Sequence, residues 1–370
     1  MKNYDVAAYV YPAYTGTEGR SRIFWPEGNG EWETVRAATA RFPGHDWPRR
    51  PLWGYVDEAD PYVMEMQIEA ASRHGINVFI YDWYWYDDRP FLEGCLTEGF
   101  LKAKNRSKMK FYLMWANHDV TYGWSRKLSE VDTQTKVWTG LVSKEQFQRI
   151  GRRWIEKFFS LPEYYRIDGK PVLSIYDLQQ LIDSFGGAEQ ARQMLLWLDK
   201  EAQNAGLPGV HYQYIRFGEA VKNVSGVDAA AVMRPEEVVS LLPFSSVTHY
   251  QFVHFTDMNR EYDAIMEDVE REWAYVREAF GLPYYPHVSI GWDNTPRFPS
   301  HTDLITKNNT PDAFSRALAA AKRFAAQYNE TPLITINSWN EWTEGSCLQP
   351  DDRYGYGYLE AVRNVFAVES

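Results

Sequence analysis

The sequence predicts an α/β protein, a (β/α)8 TIM barrel in a single domain over residues 1–370. Short apolar runs alternate with longer helix-like segments along the whole chain, as in parallel strands joined by helical crossovers. The segments after the runs are also longer, and richer in Trp, Asn, Asp and His, than those before them. In a barrel these long βα loops lie at the C-terminal face, where active sites are built.

Eight runs are predicted to be the barrel strands. They are apolar on both faces, as strands are when helices cover a parallel sheet. Residues 227–233 form the sixth predicted strand, and 246–252 compete for that role. The other predicted strands are 5–11, 76–85, 110–116, 171–176, 210–215, 284–292 and 333–339.

Helices are predicted between the strands from periodicity and end signals. Asp60 followed by Pro61 is a favourable helix start, and Gly75 is a favourable stop. Ser143 with Gln146 three residues later is a capping-box pattern. The predicted helices are 61–74, 91–104, 143–159, 188–205, 262–280, 311–328 and 358–368.

Composition excludes several classes of protein. The chain has only two cysteines, Cys95 and Cys347, which excludes a disulfide scaffold and disfavours a cysteine metal cluster. The net charge of -11 argues against nucleic acid as the main partner. With a mean hydropathy of -0.50 and no apolar stretch of about 18 residues, no membrane insertion is expected. The N-terminus has no signal-peptide pattern, so the default location is the cytoplasm unless a leader was removed.

Aromatic residues make up 16% of the chain, which is more than a core requires. Such rings often line sites that stack flat ligands, and the acidic charge favours sugars over bases. No dinucleotide, P-loop or nucleophile-elbow motif is present. His249 and His254 are five residues apart, which is not a helical ligand spacing, so no metal and no cofactor are expected.

Two carboxylates follow the eighth predicted strand in the run SWNEWTEG, which spans residues 338–345. Glu341 and Glu344 lie three residues apart, so a continuing strand would point them to opposite faces. They can share a pocket only if the chain turns between them, and Gly345 favours a turn. Paired carboxylates are what glycoside hydrolysis requires, one as acid and the other as base or nucleophile. The sequence therefore predicts Glu341 and Glu344 as catalytic residues.

Trp, Asn and Asp also follow other strands, where the Trp rings could face sugar C–H groups and the polar groups could bind hydroxyls. The oligosaccharide or polysaccharide substrate is predicted to contact these rim residues. The predicted substrate-binding residues are Tyr9, Tyr81, Asp82, Trp83, Trp85, Trp115, Asn117, His118, Trp292, Asp293, Asn294, Asn340 and Trp342.

These motifs together resemble the bacterial WbsX-type family, which is described as glycoside-hydrolase-family-99-like. The resemblance covers essentially the whole chain, and the run over residues 339–345 is its most specific part. The other matching segments are 42–45, 48–49, 60–61, 81–85, 115–117 and 291–295.

The resemblance implies a barrel that acts on α-linked, mannoside-like glycans with retention of configuration. It implies that Glu341 deprotonates the sugar 2-hydroxyl, which attacks the anomeric carbon and forms a 1,2-anhydro intermediate. It implies that Glu344 is the general acid and then the base, and it implies no metal.

Two alternatives to a glycoside hydrolase stay open. A glycosyltransferase in polysaccharide biosynthesis would fit an older label of the family, although the chain contains no Asp-x-Asp pair. A non-catalytic carbohydrate-binding barrel would use the aromatic residues alone and would leave the two acids unexplained. Fold alone decides among none of these, because barrels support many chemistries.

Overall fold

Eight parallel strands form a ring in the computed structural model, which describes residues 4–46, 49–226 and 232–366. Each strand is followed by helical structure before the next begins, as in a (β/α)8 barrel. In chain order the strands are β1 Asp5–Val10, β2 Val78–Tyr86, β3 Lys110–Trp115, β4 Lys170–Ile175, β5 His211–Ile215, β6 Phe244–Thr248, β7 His287–Ser289 and β8 Leu333–Asn337.

Neighbouring strands pair in sequence order, and β8 pairs with β1. Between β6 and β7 the ring is completed by one parallel bridge, where Val247 meets Tyr284 just before β7. There the Tyr285 N–H donates to the Val247 carbonyl at 2.9 Å. The predicted TIM barrel is confirmed.

The sixth strand differs from the prediction. Residues 227–231 lie outside the described residues, and Val232–Met233 pairs antiparallel with Val221–Lys222 outside the ring. The strand in the ring is Phe244–Thr248, which overlaps the competing segment 246–252. Its apolar pattern is weak because Ser246 and Thr248 point into a polar barrel interior. There the Thr248 hydroxyl lies 2.9 Å from the Thr335 hydroxyl.

Helices cover the outside of the ring. The capping box at Ser143 forms, with the Gln146 N–H donating to its hydroxyl at 3.2 Å. The helices are α1 Trp32–Ala37, α2 Pro61–Arg73, α3 Arg126–Ser129, α4 Lys144–Trp154, α5 Leu178–Phe185, α6 Ala188–Asn204, α7 Pro235–Leu241, α8 Tyr262–Phe280, α9 Pro311–Tyr328 and α10 Gly357–Phe366.

Two segments depart from the predicted helices. In place of a helix over 91–104, Arg89–Phe91 forms a hairpin with β2, and only a π turn at Cys95–Gly99 and a 3₁₀ turn at Phe100–Lys102 follow. The unpredicted α5 begins at Asp177, whose carboxylate accepts the Gln180 N–H at 2.9 Å. Asp177 is therefore the N-cap of α5, directly before the first helical residue, Leu178.

None of the helices in the described part of the chain combines the length and the apolar character needed to cross a bilayer. The predicted helix 358–368 is found as Gly357–Phe366, and residues 367–370 lie outside the described residues.

Candidate active site

The chain turns directly after β8 and brings Glu341 and Glu344 to one cavity. Asn340–Glu341 pairs antiparallel with Ser346–Cys347, and a 3₁₀ turn over Trp342–Glu344 lies between them. Gly345 closes the turn with a φ of 66°, and a Cβ there would lie 2.9 Å from the Cβ of Asp293. Only glycine fits this conformation and this space. Both carboxyls line a cavity of about 160 Å³ at the C-terminal face of the barrel.

One arginine joins the two carboxyls. Arg297, from the loop after β7, places Nη1 3.3 Å from Glu344 Oε1 and Nη2 3.7 Å from Glu341 Oε1. Its Nε and Nη2 also donate to Glu31 at 3.0 and 3.2 Å, and Nη2 donates to the Thr343 hydroxyl at 2.8 Å. Because Glu31 is fully buried and takes the two-point contact, this carboxylate neutralises the guanidinium most directly.

A third acid faces the cavity from β2. The Tyr250 hydroxyl lies 3.0 Å from Asp82 Oδ2 and 3.4 Å from Glu341 Oε2, so it contacts both carboxyls. Asp82 Oδ1 is buried and has no hydrogen-bond partner among the described residues. The hydrogen-bonding capacity of this oxygen is therefore unused by the described part of the protein.

The cavity holds more carboxyls than one guanidinium can neutralise, and burial makes each additional charge costly. Burial raises the pKa of Glu341 and of Asp82 well above their usual values, and the charge of Glu344 raises that of Glu341 further. Burial also raises the pKa of Glu344 to about 7, although Arg297 opposes the rise. Two carboxyls in one buried cavity do not both ionise easily, so the pair keeps a proton to a higher pH than exposed carboxyls do.

The raised pKa of Glu344 makes stability depend on pH. In the unfolded chain Glu344 ionises near 4.5, but in the native protein it ionises near 7, so stability is lost as the pH rises between these values. We expect Glu344→Gln to gain about 3 kcal/mol over the native protein between pH 4.5 and pH 8. Urea unfolding at both pH values measures this gain, with Glu278→Gln, at an exposed position, as the control. If the free energies of unfolding of Glu344→Gln and the native protein differed by the same amount at both pH values, the raised pKa of Glu344 would be contradicted.

Arg297 is also expected to stabilise the fold. Arg297→Met removes the cation beside buried Glu31 and leaves a charge without compensation, so we expect a loss of about 3–5 kcal/mol in the free energy of unfolding. The matched control is Arg316→Met, which breaks an exposed pair with Asp263 and should cost under about 1 kcal/mol. Urea denaturation measures the free energy of unfolding of both variants. Equal losses in Arg297→Met and Arg316→Met would show that Arg297 does not stabilise the fold by compensating buried Glu31.

Aromatic rings and His118 form much of the remaining wall. The Trp124 ring lies 5.3 Å from that of Tyr84 and 6.0 Å from that of His118, measured between ring centroids. Burial lowers the pKa of His118, so it is neutral near pH 7. The residues that line the cavity are Tyr11, Asp82, Tyr84, Met114, Ala116, His118, Trp124, Tyr176, Tyr250, Arg297, Glu341 and Glu344.

Several residues predicted to bind substrate face the outer helices instead. Side chains alternate along β2, so Asp82 and Tyr84 face the cavity while Tyr81, Trp83 and Trp85 face outwards. The Tyr81 hydroxyl lies 3.9 Å from Met64 Sδ on α2. Trp83 Nε1 donates to Glu93 at 2.8 Å, and the Trp85 ring stacks on that of Trp83. On β3, Trp115 likewise packs outwards, against Phe147 and Trp154.

Four further predicted binding residues have their polar side-chain atoms occupied by hydrogen bonds within the protein. The Tyr9 hydroxyl donates to the His249 carbonyl at 3.0 Å. Asn117 bonds the backbone N–H and carbonyl of Asp177, each at 2.8 Å. Asn340 does the same with Tyr11, and Trp342 Nε1 donates to Gln349 at 2.8 Å. None of the four lines the cavity.

Trp292, Asp293 and Asn294 do not line the cavity of the carboxyl pair, although the Asp293 N–H donates to the Glu344 carbonyl at 2.7 Å. Trp292 and Asp293 line a second cavity of about 430 Å³ behind the Gly345 turn. Asp293 accepts a hydrogen bond from His45 Nε2 at 2.7 Å and from the Thr295 N–H at 3.0 Å. Asn294 is buried and lines neither cavity.

Sequence reasoning did not assign Glu31, Trp124, Tyr176, Tyr250 or Arg297 to the site. They lie on five loops, where no periodicity indicates direction. Tyr84 could have been found, because a period of two places it on the face of Asp82. Among the described residues, no three His, Cys, Asp or Glu side chains come together in a way that could hold a metal ion.

A family model and a curated protein match most of this chain. A family model described as Glycosyltransferase WbsX matches residues 6–362. The uncharacterized protein WxcX of Xanthomonas campestris pv. campestris is 28% identical over 347 residues, which cover 92% of this chain and 46% of that protein. The chain thus spans about half the length of the curated relatives it matches.

Solved structures share the fold over nearly all of the chain. The GH99 endo-alpha-mannosidase from Bacteroides thetaiotaomicron aligns with a TM-score of 0.60 and 14% identity, over 98% of this chain and 95% of that one. A glycoside hydrolase-like protein aligns with a TM-score of 0.63 and 16% identity, over 100% and 95%. The beta-glucosidase from Thermotoga maritima aligns with a TM-score of 0.51 and 11% identity, over 100% and 99%. At these identities the likeness is one of fold.

Proposed function

The chain belongs to the WbsX family, and from this premise we propose that it is a glycoside hydrolase that cleaves an α-linked, mannoside-like oligosaccharide with retention of configuration. The observation that carries the proposal is the pair Glu341 and Glu344, two buried carboxyls that line one cavity and share one arginine. Such a pair at the C-terminal face of a barrel is suited to acid–base chemistry on a glycosidic bond.

The first step is proposed to form a 1,2-anhydro sugar. Glu344 donates its proton to the oxygen of the departing sugar as the bond from that oxygen to the anomeric carbon breaks. Glu341 takes the proton of the 2-hydroxyl, and the 2-oxygen bonds to the anomeric carbon. Burial raises the pKa of both carboxyls, that of Glu344 to about 7, so the pair holds a proton that can be donated at neutral pH.

The second step opens the anhydro ring with water. Glu344, now ionised, takes a proton from a water molecule while the oxygen of that water bonds to the anomeric carbon. The bond from that carbon to the 2-oxygen breaks, and Glu341 returns its proton to the 2-oxygen. Two inversions give overall retention and restore both carboxyls.

The surrounding groups have supporting roles in this proposal. Arg297, 3.7 Å from Glu341 Oε1, favours the ionised form of Glu341 that can accept a proton. Tyr250 contacts the other oxygen, Glu341 Oε2, and so limits rotation of this carboxyl. The buried Asp82 Oδ1, without a protein partner, would receive a sugar hydroxyl.

The choice of an α-mannoside as substrate is an extension from fold. One solved structure that shares this fold is named an endo-alpha-mannosidase. The cavity wall combines Tyr84, Trp124 and Tyr176 with the carboxyls, so it offers both ring faces and hydrogen-bonding groups to a sugar.

Glycosyl transfer is the second candidate, and the description of the family favours it. A sugar hydroxyl would take the place of water in the second step, with the same two carboxyls in the same roles. The product would then be a longer glycan, which separates the two functions experimentally.

The test is product release from α-linked oligosaccharides and 4-nitrophenyl α-glycosides, with proton NMR identifying the anomer formed first. We expect a free reducing sugar in the retained anomer. A first product of inverted configuration would exclude the anhydro route, and longer glycans formed with an added acceptor sugar or a nucleotide-sugar donor would favour transfer. Binding of an oligosaccharide without turnover of any compound would indicate a carbohydrate-binding barrel.

A further inference from the structure

A fully buried carboxylate, Glu58, lies behind the loop that carries Glu341 and does not line the cavity. Its backbone is fixed on both sides. The Glu58 N–H donates to the Tyr14 carbonyl at 3.0 Å, and a Cβ on Gly99 would lie 2.3 Å from the Glu58 carbonyl oxygen. Glu58 is therefore held at a set position in the loop between β1 and α2.

Three side-chain amides donate hydrogen bonds to this carboxylate. Gln67 Nε2 and Gln349 Nε2 lie 3.1 and 2.7 Å from Glu58 Oε1, and Asn340 Nδ2 lies 2.7 Å from Oε2. The three come from separate parts of the chain, namely α2, the segment after the Gly345 turn, and the position directly before Glu341. A single side chain thus connects these three segments.

Two tryptophans fix the orientation of the glutamine amides. Trp339 Nε1 donates to Gln67 Oε1 at 2.8 Å, and Trp342 Nε1 donates to Gln349 Oε1 at 2.8 Å. An indole N–H can only donate, so each glutamine must turn its oxygen to the indole and its NH₂ to Glu58. Reversing either amide would place donor against donor.

Asn340 is fixed in a different way. Its Oδ1 accepts the Tyr11 N–H at 2.8 Å and its Nδ2 donates to the Tyr11 carbonyl at 2.8 Å. Since the backbone cannot exchange donor for acceptor, this amide must also direct an N–H at Glu58. All three amides therefore require an acceptor at position 58, and a carboxylate can accept from all of them.

We propose that Glu58 is a positioning residue, which fixes Trp339, Asn340 and Trp342 and thereby sets the place of the Glu341 carboxyl between them. Asn340 and Trp342 were predicted from sequence to bind substrate, and their polar side-chain atoms are instead occupied by this network. The inference rests on the proposed function of Glu341, and it adds a residue that acts on that carboxyl without contacting substrate.

The charge at position 58 is itself buried. Burial raises the pKa of Glu58 to about 7, and the three amide donors oppose this rise. The amides stabilise the ionised form, in which both oxygens accept.

The test is Glu58→Gln, which keeps shape but turns an NH₂ towards at least one fixed amide N–H. We expect kcat on an α-mannoside that the native protein cleaves to fall about 10- to 100-fold, because a displacement of about 1 Å in a catalytic group can lower the rate by up to about 100-fold. The KM should stay within about threefold of the native value, because Glu58 does not line the cavity and does not contact substrate. An unchanged kcat, or a loss confined to KM, would overturn the proposal.

The matched control is Glu163→Gln, another buried glutamate, which pairs with Arg106 away from the cavity. Its kcat should stay within about twofold of the native value, and a similar loss there would mean a general folding effect. Should Glu58→Gln fail to fold, Gln349→Met breaks one link and should still lower kcat by about fivefold or more without changing KM. An unchanged kcat in Gln349→Met would likewise overturn the proposal.

A crystal structure of Glu58→Gln separates this inference from the proposed function. We expect the Glu341 carboxyl to move relative to Arg297 by about 1 Å. If the native protein turns over no glycoside, the proposed function fails, but the position of Glu341 in the variant still decides whether Glu58 holds it. An unmoved Glu341 would refute the positioning role whatever the activity.

Discussion

Glu344→Gln is expected to lower kcat by about 10²- to 10⁴-fold on an oligosaccharide, because the departing sugar oxygen can no longer be protonated. The effect on kcat/KM, which reports the steps up to formation of the anhydro sugar, should be much smaller on a 4-nitrophenyl glycoside, because this leaving group departs without a proton. Parallel kinetics on the two substrates measure the difference. The isosteric change keeps the contact of residue 344 with Arg297, so binding should change little.

The pH profile provides the internal control for this prediction. In the native protein, the limb of falling activity at alkaline pH should reflect the shared ionisation of the carboxyl pair, in which the pKa of Glu344 is raised to about 7. That limb should disappear in Glu344→Gln on the activated substrate. Glu163→Gln should retain the native profile. An equal loss of kcat/KM on both substrates in Glu344→Gln would assign Glu344 a role other than that of the acid.

Much of the fold could be predicted because local signals mark the elements. The helices at Tyr262–Phe280 and Pro311–Tyr328 have the predicted bounds, since caps and periodicity are encoded within a few residues. The sixth and seventh strands were harder to predict from the sequence. Phe244–Thr248 carries polar side chains into the barrel interior, and β7 is only His287–Ser289 because the chain after it serves the rim.

The carboxyl pair could be proposed from sequence because the motif and its turn lie within eight residues. The tryptophans were assigned because they stand at the ends of predicted strands, and the alternation of side chains along a strand reverses part of that assignment. Trp83 and Asp82 are adjacent in sequence, yet one faces the helices and the other the cavity. The contact of Arg297 with Glu31 spans 266 positions between two loops, and no local pattern in a single sequence encodes such a pair.

The same long-range dependence applies to the motif around Glu341. Trp339 and Trp342 look like a sugar platform because two aromatic residues flank a glutamate. In the structure their indole N–H groups donate hydrogen bonds to Gln67 and Gln349, and both rings are buried. Aromatic residues beside an acid can therefore build the support of a site as well as its surface.

Glu341→Gln is expected to lower kcat by about 10²- to 10⁴-fold on every substrate, activated or not, because the 2-hydroxyl must be deprotonated whatever the leaving group. This separates Glu341 from Glu344, whose loss should depend on the leaving group. Kinetics of Glu341→Gln on the oligosaccharide and on the 4-nitrophenyl glycoside test the prediction, with Glu163→Gln again as the control.

A substrate without the 2-hydroxyl sharpens the assignment. The native protein should process the 2-deoxy glycoside poorly, and Glu341→Gln should add little further loss on it, since both changes remove the same step. If Glu341 were instead a nucleophile that bonds to the anomeric carbon, the 2-deoxy glycoside would still react. Azide would then restore turnover of the variant and yield a glycosyl azide. The 2-oxygen as nucleophile predicts neither result, because removing Glu341 leaves that oxygen in place but still protonated.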